Sequence, residues 1–220
     1  MGMRLANKIV LASMNPDKFN EFSSLLKSYP EHPEIELVPA EFVVRNAQKI
    51  GMVEKYETYL ENAAAKGRLV NQASHYPALA DDSGIEVSAL GGKPGVRSHR
   101  YAKLPPGTLT SRVNQDKANN ELLLSELKGK SDRGAKFVCC VTLVIEGILI
   151  NATGVLEGTI AEAPRGTNGF GYDPLFIPNG SNKTFAEMND AEKNAISHRR
   201  KALDSLMLQV QARGIIFAKP

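Results

Sequence analysis

The chain of 220 residues predicts an α/β fold around a mixed sheet, and three observations carry that expectation. Near the start, the apolar run Ile9-Val10-Leu11-Ala12 passes through a polar turn into apolar residues at helical spacing. In the middle, Ala135 to Glu146 is apolar on both of its alternating faces, the mark of a strand covered twice. Gly147 then turns the chain into Ile148 to Leu156, a hairpin that a purely parallel sheet would lack.

Taken in order, the first helix is the best signalled. Asn15 can cap it, Pro16 suits its first position, Asp17 its first turn, and Phe19, Phe22, Leu25 and Leu26 line one face. Ile35 to Val38 reads as a second strand among Pro30, Pro33 and Pro39. Glu41 to Tyr56 follows no clear period. Glu57 to Ser74 is helical, and Ala78-Leu79-Ala80 is a short strand running into Asp81-Asp82-Ser83-Gly84. Ile85 to Ser88 reads as another strand, so the two acidic residues are expected in a turn between strands. Pro105-Pro106-Gly107 marks a break before a helix over Thr110 to Leu127. Pro164 to Lys183 is a Gly-, Pro- and Asn-rich loop, long enough to point to function. One last helix is expected from Asp190 to Gln211, opened by Asn189 with Glu192 in a capping-box pattern.

Composition excludes several classes. Hydrophobic residues make up 42% and charged residues 23%, which suits a packed core and not a disordered chain. Lys and Arg number 27 against 24 Asp and Glu, too small an excess for the concentrated basic face of a stable nucleic-acid binder. Cys139 and Cys140 are adjacent, so on a strand they point to opposite faces and do not pair. His32, His75, His99 and His198 are scattered, and zinc-site spacing is absent. No membrane-spanning run or signal-peptide pattern appears. The expectation is a cytoplasmic protein, one domain over residues 1–220 with room for two lobes, and no membrane partner.

Four groups of residues bear on chemistry. In Ser13-Met14-Asn15-Pro16-Asp17-Lys18, a strand end feeding a helix start offers unpaired backbone N–H groups, and Lys18 adds a positive charge. These are the ingredients of a phosphate site; they are equally those of a capped helix with a surface lysine, which composition alone favours. Asp81 and Asp82 lie between apolar segments, where carboxylates are costly unless hydrated, hydrogen-bonded or bound to a cation such as Mg2+. A surface turn with Ser83 and Gly84 meets the need as well. In Gly169-Phe170-Gly171-Tyr172-Asp173-Pro174 the glycines permit close approach, Phe170 or Tyr172 can stack on a planar ring, and Asp173 can accept hydrogen bonds. An ordinary surface loop is the alternative. Lys193, His198 and Arg199 sit on the last predicted helix, with Lys193 and His198 about 140 degrees apart around its axis. They either reach one cleft or form a solvated face.

With those residues in view, the chain resembles the inosine triphosphate pyrophosphatase family. The matching segments are SMNPDKFNEF at 13–22, YLENAAAKG at 59–67, ADDSGIEVSALGGKPGVRS at 80–98, GTNGFGYDPLFIP at 166–178 and KTFAEMNDAEKNAISHRRKAL at 183–203. The resemblance implies an elongated mixed central β-sheet flanked by helices, in two lobes with a central active-site cleft, and a homodimer. It implies Mg2+-dependent cleavage of purine nucleoside triphosphates (ITP, dITP and XTP) to the monophosphate and pyrophosphate, clearing deaminated purines from the nucleotide pool. Carried over residue by residue, Ser13 to Lys18 match the triphosphate contacts. Asp82 matches the metal ligand and proton acceptor, and Ser83 a substrate contact. Phe170, Gly171, Tyr172 and Asp173 match the base-side stretch, and Lys193, His198 and Arg199 the C-terminal substrate contacts. Glu54, seven residues before Glu61, corresponds to an additional acidic metal-site residue, although the flanking MVEKYET departs from the family pattern.

Base selectivity then has a physical basis. Hypoxanthine and xanthine carry a 6-oxo acceptor where adenine carries an amino donor. Backbone donors near Phe170 to Asp173, with His198 or Arg199, would reward the oxo group and leave adenine facing donor against donor. Two other readings share these residues: the septum-associated nucleotide pyrophosphatases, which prefer other nucleotides, and a nucleotide-binding module that releases no pyrophosphate.

Overall fold

The computed structural model describes residues 4–29, 35–104 and 107–218; Pro30, His32, Pro33, Pro105 and Pro106 lie outside them. In chain order the elements are β1 (Arg4–Ala6), β2 (Lys8–Leu11), α1 (Pro16–Leu26), β3 (Glu36–Pro39), α2 (Lys49–Met52), α3 (Tyr59–Ser74) and β4 (Ala78–Val87). There follow α4 (Arg112–Glu126), β5 (Gly134–Ile145), β6 (Ile148–Ile160), β7 (Phe176–Pro178), α5 (Asp190–Ile196), α6 (His198–Ala212) and β8 (Ile216–Ala218). Six strands hydrogen-bond in the order β3-β2-β4-β5-β6-β7, and β1 pairs with β8 in a separate parallel ribbon. β2 is parallel to β3 and β4, whereas β6 is antiparallel to β7, so the sheet is mixed as expected. β5 and β6 join through Glu146 and Gly147, both at positive φ, the two-residue turn that matches strand twist in a hairpin.

The chain divides into two compact units. The first takes the described residues of Met1–Asp82, Cys139–Gly154 and Arg199–Pro220. Strand alternation organises its core. Ile9, Leu11 and Leu79 point to one face, where Phe22, Leu25 and Leu26 of α1 and Leu203, Leu206 and Val210 of α6 cover them. Val10, Ala12, Ala78 and Ala80 point to the other and cluster with Val70 of α3 and with Ala40, Val44 and Ile50. Here α3 presses close: a Cβ on Gly67 would stand 3.0 Å from Val144 Cγ2 and 3.2 Å from Thr142 Oγ1. The second unit takes Ser83–Val138 and Val155–His198. Its core groups Phe137, Phe176 and Phe185 with Leu123 and Leu127 around the end of α4.

Two expectations are corrected. Residues 78–87 form one unbroken strand, not two strands about an acidic turn; Asp81 is 0% and Asp82 5% exposed. Acidic residues read as a turn because an unpaired carboxylate cannot stay in a core, and here nearby cations remove that obstacle. The last helix is two helices, because Ser197 is extended (φ −61, ψ 155) between α5 and α6. Lys193 and His198 therefore share no helix, and the angle between them on a common axis does not apply. The capping box itself is present: Glu192 N–H donates to Asn189 Oδ1 at 2.9 Å and Asn189 N–H to Glu192 Oε2 at 2.8 Å. β1, β7 and β8 are three residues each, too short for a hydrophobic period to announce them.

Candidate functional site

The first group of candidate side chains lies within the first unit, at the end of β2 and the middle of β4. Asn15 accepts from Asp17 N–H at 2.9 Å and Lys18 N–H at 3.4 Å, capping α1 behind Pro16. Ser13 Oγ accepts from Asn15 N–H at 3.2 Å and holds the bend before it. Met14 stands 42% exposed on that bend. The capped-helix reading of this segment is thus correct, but its lysine is not a surface one. Lys18 Nζ lies 3.0 Å from Asp81 Oδ1 and 2.8 Å from Oδ2, with only 15% of its side chain exposed.

Alternation along β4 sends the two adjacent carboxylates to opposite faces. Asp81 faces α1 and α6. Besides Lys18 it meets Arg199 Nε at 3.6 Å, and Arg199 Nη1 donates to Glu21 Oε2 of α1 at 2.9 Å. Burial works to raise the Asp81 pKa, but Lys18, Arg199 and Lys66 outweigh it and hold the carboxyl well below its usual range. Asp82 faces α3. Its Oδ2 accepts from Asn62 Nδ2 at 2.9 Å, and Asn62 is itself fixed by bonds to the backbone N–H and C=O of Tyr56. One turn later on α3, buried Lys66 donates to Glu54 Oε1 and to the Asp81 carbonyl, each at 2.5 Å. Burial pushes the Asp82 carboxyl up to about 6, against the pull of Lys66 and Lys18.

Carboxylates outnumber cations in this group: Glu21, Glu54, Asp81 and Asp82 against Lys18, Lys66 and Arg199. A buried carboxylate held at a raised pKa beside an excess of negative charge is a hard-oxygen donor suited to a divalent cation. Among the described residues no three acidic, histidine or cysteine side chains gather into a complete metal cage. A divalent cation can also be held by one or two carboxylates, with water and ligand oxygens completing its shell. Asp82 fits such a role. Glu54 is engaged by Lys66 and enters the same electrostatic group through it.

The second group lies within the second unit. Gly169 is at φ +74, and a Cβ there would sit 2.0 Å from Asp173 Oδ2, so only glycine lets this carboxylate fold back on its loop. Asp173 Oδ2 accepts from Phe170 N–H at 2.9 Å and from Lys193 Nζ of α5 at 2.7 Å. The half-buried Phe170 ring has Lys193 Nζ 4.8 Å and Arg112 Cζ 5.3 Å from its centroid. His198 is buried and stacks on Phe137 at 4.6 Å and 8°.

Some expected contacts are redirected. Tyr172 is 4% exposed and donates its hydroxyl to the Ser98 carbonyl at 2.8 Å, so it is a core residue and not a stacking platform. The Phe170 and Gly171 N–H groups already donate to Asp173 and Asp116, so neither is spare for a 6-oxo group. Arg199 belongs with Glu21 and Asp81 in the first unit, whereas Lys193 and His198 belong to the second. Ser83 follows Asp82 on β4, partly exposed. Sequence reasoning missed Glu21, Asn62 and Lys66. The available signal was Asn62 and Lys66 one turn apart on one helix face among alanines, beside a glycine.

Carboxylates borne on a strand and met by lysines and an arginine from flanking helices equip an α/β protein to handle polyphosphate groups. The chain belongs to the Ham1 family, whose model matches residues 9–209. It is 44% identical over 206 residues to the dITP/XTP pyrophosphatase of Ralstonia nicotianae, covering 91% of this chain and 94% of that protein. To the dITP/XTP pyrophosphatase of Bacillus subtilis it is 39% identical over 217 residues, covering 96% and 100%. Among solved structures, a HAM1 protein from Coxiella burnetii matches with a TM-score of 0.76 at 39% identity, over 93% of this chain and 98% of that one. The Staphylococcus aureus Ham1 protein matches at 0.74 and 34% identity, over 93% and 98%. The resemblance drawn from the five sequence segments is borne out.

Proposed function

We propose that this chain is a Mg2+-dependent nucleoside triphosphate pyrophosphohydrolase. It cleaves ITP, dITP and XTP at the α–β phosphoanhydride bond, releasing the nucleoside monophosphate and pyrophosphate. The observation that carries this reading is the Lys18–Asp81–Arg199 and Asp82–Asn62–Lys66 group on β4, in a chain whose relatives are named for this activity.

In this reading the segment Ser13 to Lys18 binds phosphate oxygens through the Lys18 charge and the positive end of the α1 dipole, since the Ser13, Asn15, Asp17 and Lys18 N–H groups are already engaged within the protein. Asp81 holds Lys18 and Arg199 in place, so the cations are oriented before substrate arrives. Asp82, with Glu54 nearby, would hold Mg2+, and the cation would supply charge neutralisation at phosphate oxygens and a lowered pKa for bound water. Asn62 fixes the orientation of the Asp82 carboxylate. Water adds to phosphorus, the bridging P–O bond breaks with its electron pair leaving on the departing phosphate, and the proton passes to Asp82 or to solvent.

Phe170 offers its ring to the purine, with Lys193 and Asp173 fixing its surroundings, and of the two candidate donors for the 6-oxo group, His198 lies in the same unit as Phe170, whereas Arg199 is paired with Glu21 and Asp81. The two units act as one pyrophosphatase domain, and the resemblance alone supports a homodimer, which sedimentation equilibrium reads directly. The test of the activity is a pyrophosphate-release panel over ITP, dITP, XTP, ATP and GTP with and without Mg2+. Release from the first three, dependent on Mg2+ and far exceeding that from ATP and GTP, is expected. Equal efficiencies overturn the purine filter, a preference for other nucleotides moves the chain to the septum-associated class, and no release with any of them overturns the enzyme.

A further inference from the structure

Three side chains of α4 converge on the two loop residues Phe170 and Gly171. Arg112 stands over the Phe170 ring at 5.3 Å. One turn on, Asp116 Oδ2 accepts from Gly171 N–H at 2.9 Å. One further turn on, Asn120 Nδ2 donates to the Gly171 carbonyl at 2.9 Å. The spacing of four places all three on one helix face. The loop needs such a grip. Phe170 lies between Gly169 and Gly171, at φ +74 and +62, and glycines on both sides give its ring a wide conformational range unless the flanking peptides are pinned.

We propose that Asp116, supported by Asn120, is a positioning residue for purine recognition: α4 holds Gly171 by both its N–H and its C=O and so fixes the Phe170 ring before the base arrives. Asp173 pins the Phe170 N–H from within the loop, and Asp116 pins the next N–H from outside it. Two carboxylates on consecutive amides hold the backbone that carries the aromatic ring, and Arg112 and Lys193 lie near the ring. Nucleotide affinity and base selectivity then depend on a helix that need not touch the substrate. The gain is preorganisation: the loop's ordering entropy is spent in folding and not in binding. This inference rests on the assignment of Phe170 to the purine made above.

The test compares Asp116→Ala, Asp116→Asn, Asn120→Ala and Phe170→Ala with the wild type. It uses steady-state kinetics on ITP and ATP, and calorimetric titration with IMP and with pyrophosphate. Asp116→Ala is expected to raise KM for ITP roughly fivefold, a part of what one charge-assisted hydrogen bond is worth. It should weaken IMP by a similar factor, lower the preference for ITP over ATP, leave kcat within about twofold and leave pyrophosphate affinity unchanged. Asp116→Asn retains an oxygen acceptor for Gly171 and should recover most of the loss; Asn120→Ala should show a smaller loss in the same direction. If Asp116→Ala lowers kcat and all affinities together, or if Asp116→Asn recovers nothing, the positioning role is overturned. If Phe170→Ala weakens IMP and Asp116→Ala does not, this inference alone fails. If Phe170→Ala leaves IMP unchanged, the purine assignment fails and takes the inference with it.

Discussion

The two groups of candidate site residues are built in opposite ways. The group on β4 is assembled mostly from regular elements: α1 supplies Lys18 and Glu21, α3 supplies Asn62 and Lys66, α6 supplies Arg199, and the strand carries Asp81 and Asp82, with Glu54 alone coming from the segment between α2 and α3. Its order comes from charge against charge in a buried setting. The group around Phe170 sits on a loop, and its order comes from side chains capping backbone amides: Asp173 on Phe170, Asp116 and Asn120 on Gly171. Chemistry that must hold charge to within an ångström gains from rigid elements, while recognition of a base tolerates a loop provided its peptides are pinned.

The largest expected effect breaks the first group at its centre. Asp81→Asn takes the carboxylate from largely buried Lys18 and leaves Arg199 with Glu21, and should cost about 3 kcal/mol in urea unfolding. Its pH dependence follows from the sign of the shift. The native pKa lies below the ordinary 3.8, so the stabilising contribution is present above pH 3.8 and fades as pH falls through the lower native value. The gap between wild type and variant should therefore be full at neutral pH and narrow below about pH 4; a gap that widens on acidification contradicts the assignment. Next, Asp82→Asn should cut Mg2+-dependent turnover at least about tenfold while leaving the circular dichroism spectrum intact. Near-normal turnover in the folded variant would remove Asp82 from the chemistry.

The second group should respond in affinity and not in rate. Phe170→Ala is expected to raise KM for ITP about three- to tenfold, the worth of one aromatic contact, with kcat little changed. A fall in kcat with constant KM would place the ring with the chemistry instead. Smallest is Asn189→Ala, which removes the cap of α5 and should lower stability by about 1 kcal/mol in urea unfolding. A change in ITP kinetics larger than that loss would show that α5 positions Lys193 more tightly than its cap implies.

The same comparison explains what was legible in the sequence. The α1 start was readable because its Asn-Pro-Asp order carries a local mechanism, and the Asn189–Glu192 box for the same reason. The β5 strand was readable because both of its faces are apolar. Asp81 and Asp82 misled because a doubly acidic stretch inside a strand is tolerable only when cations distant in sequence neutralise it. Lys18 stands 63 residues from Asp81, and pairing at that separation leaves no local trace. Lys66 escaped notice since lysines are seldom buried. The break at Ser197 was hidden because helix-forming residues continue on both sides of it. Tyr172 looked like a platform from composition, whereas its hydroxyl's bond to the Ser98 carbonyl, 74 residues away, makes it core.

The most direct test is a crystal structure with Mg2+ and an ITP analogue whose α–β bridge is a methylene group. Phosphate oxygens are expected on Lys18 and at the α1 N-terminus, with the cation against Asp82. Phosphates bound away from both Lys18 and Asp82 would contradict this reading.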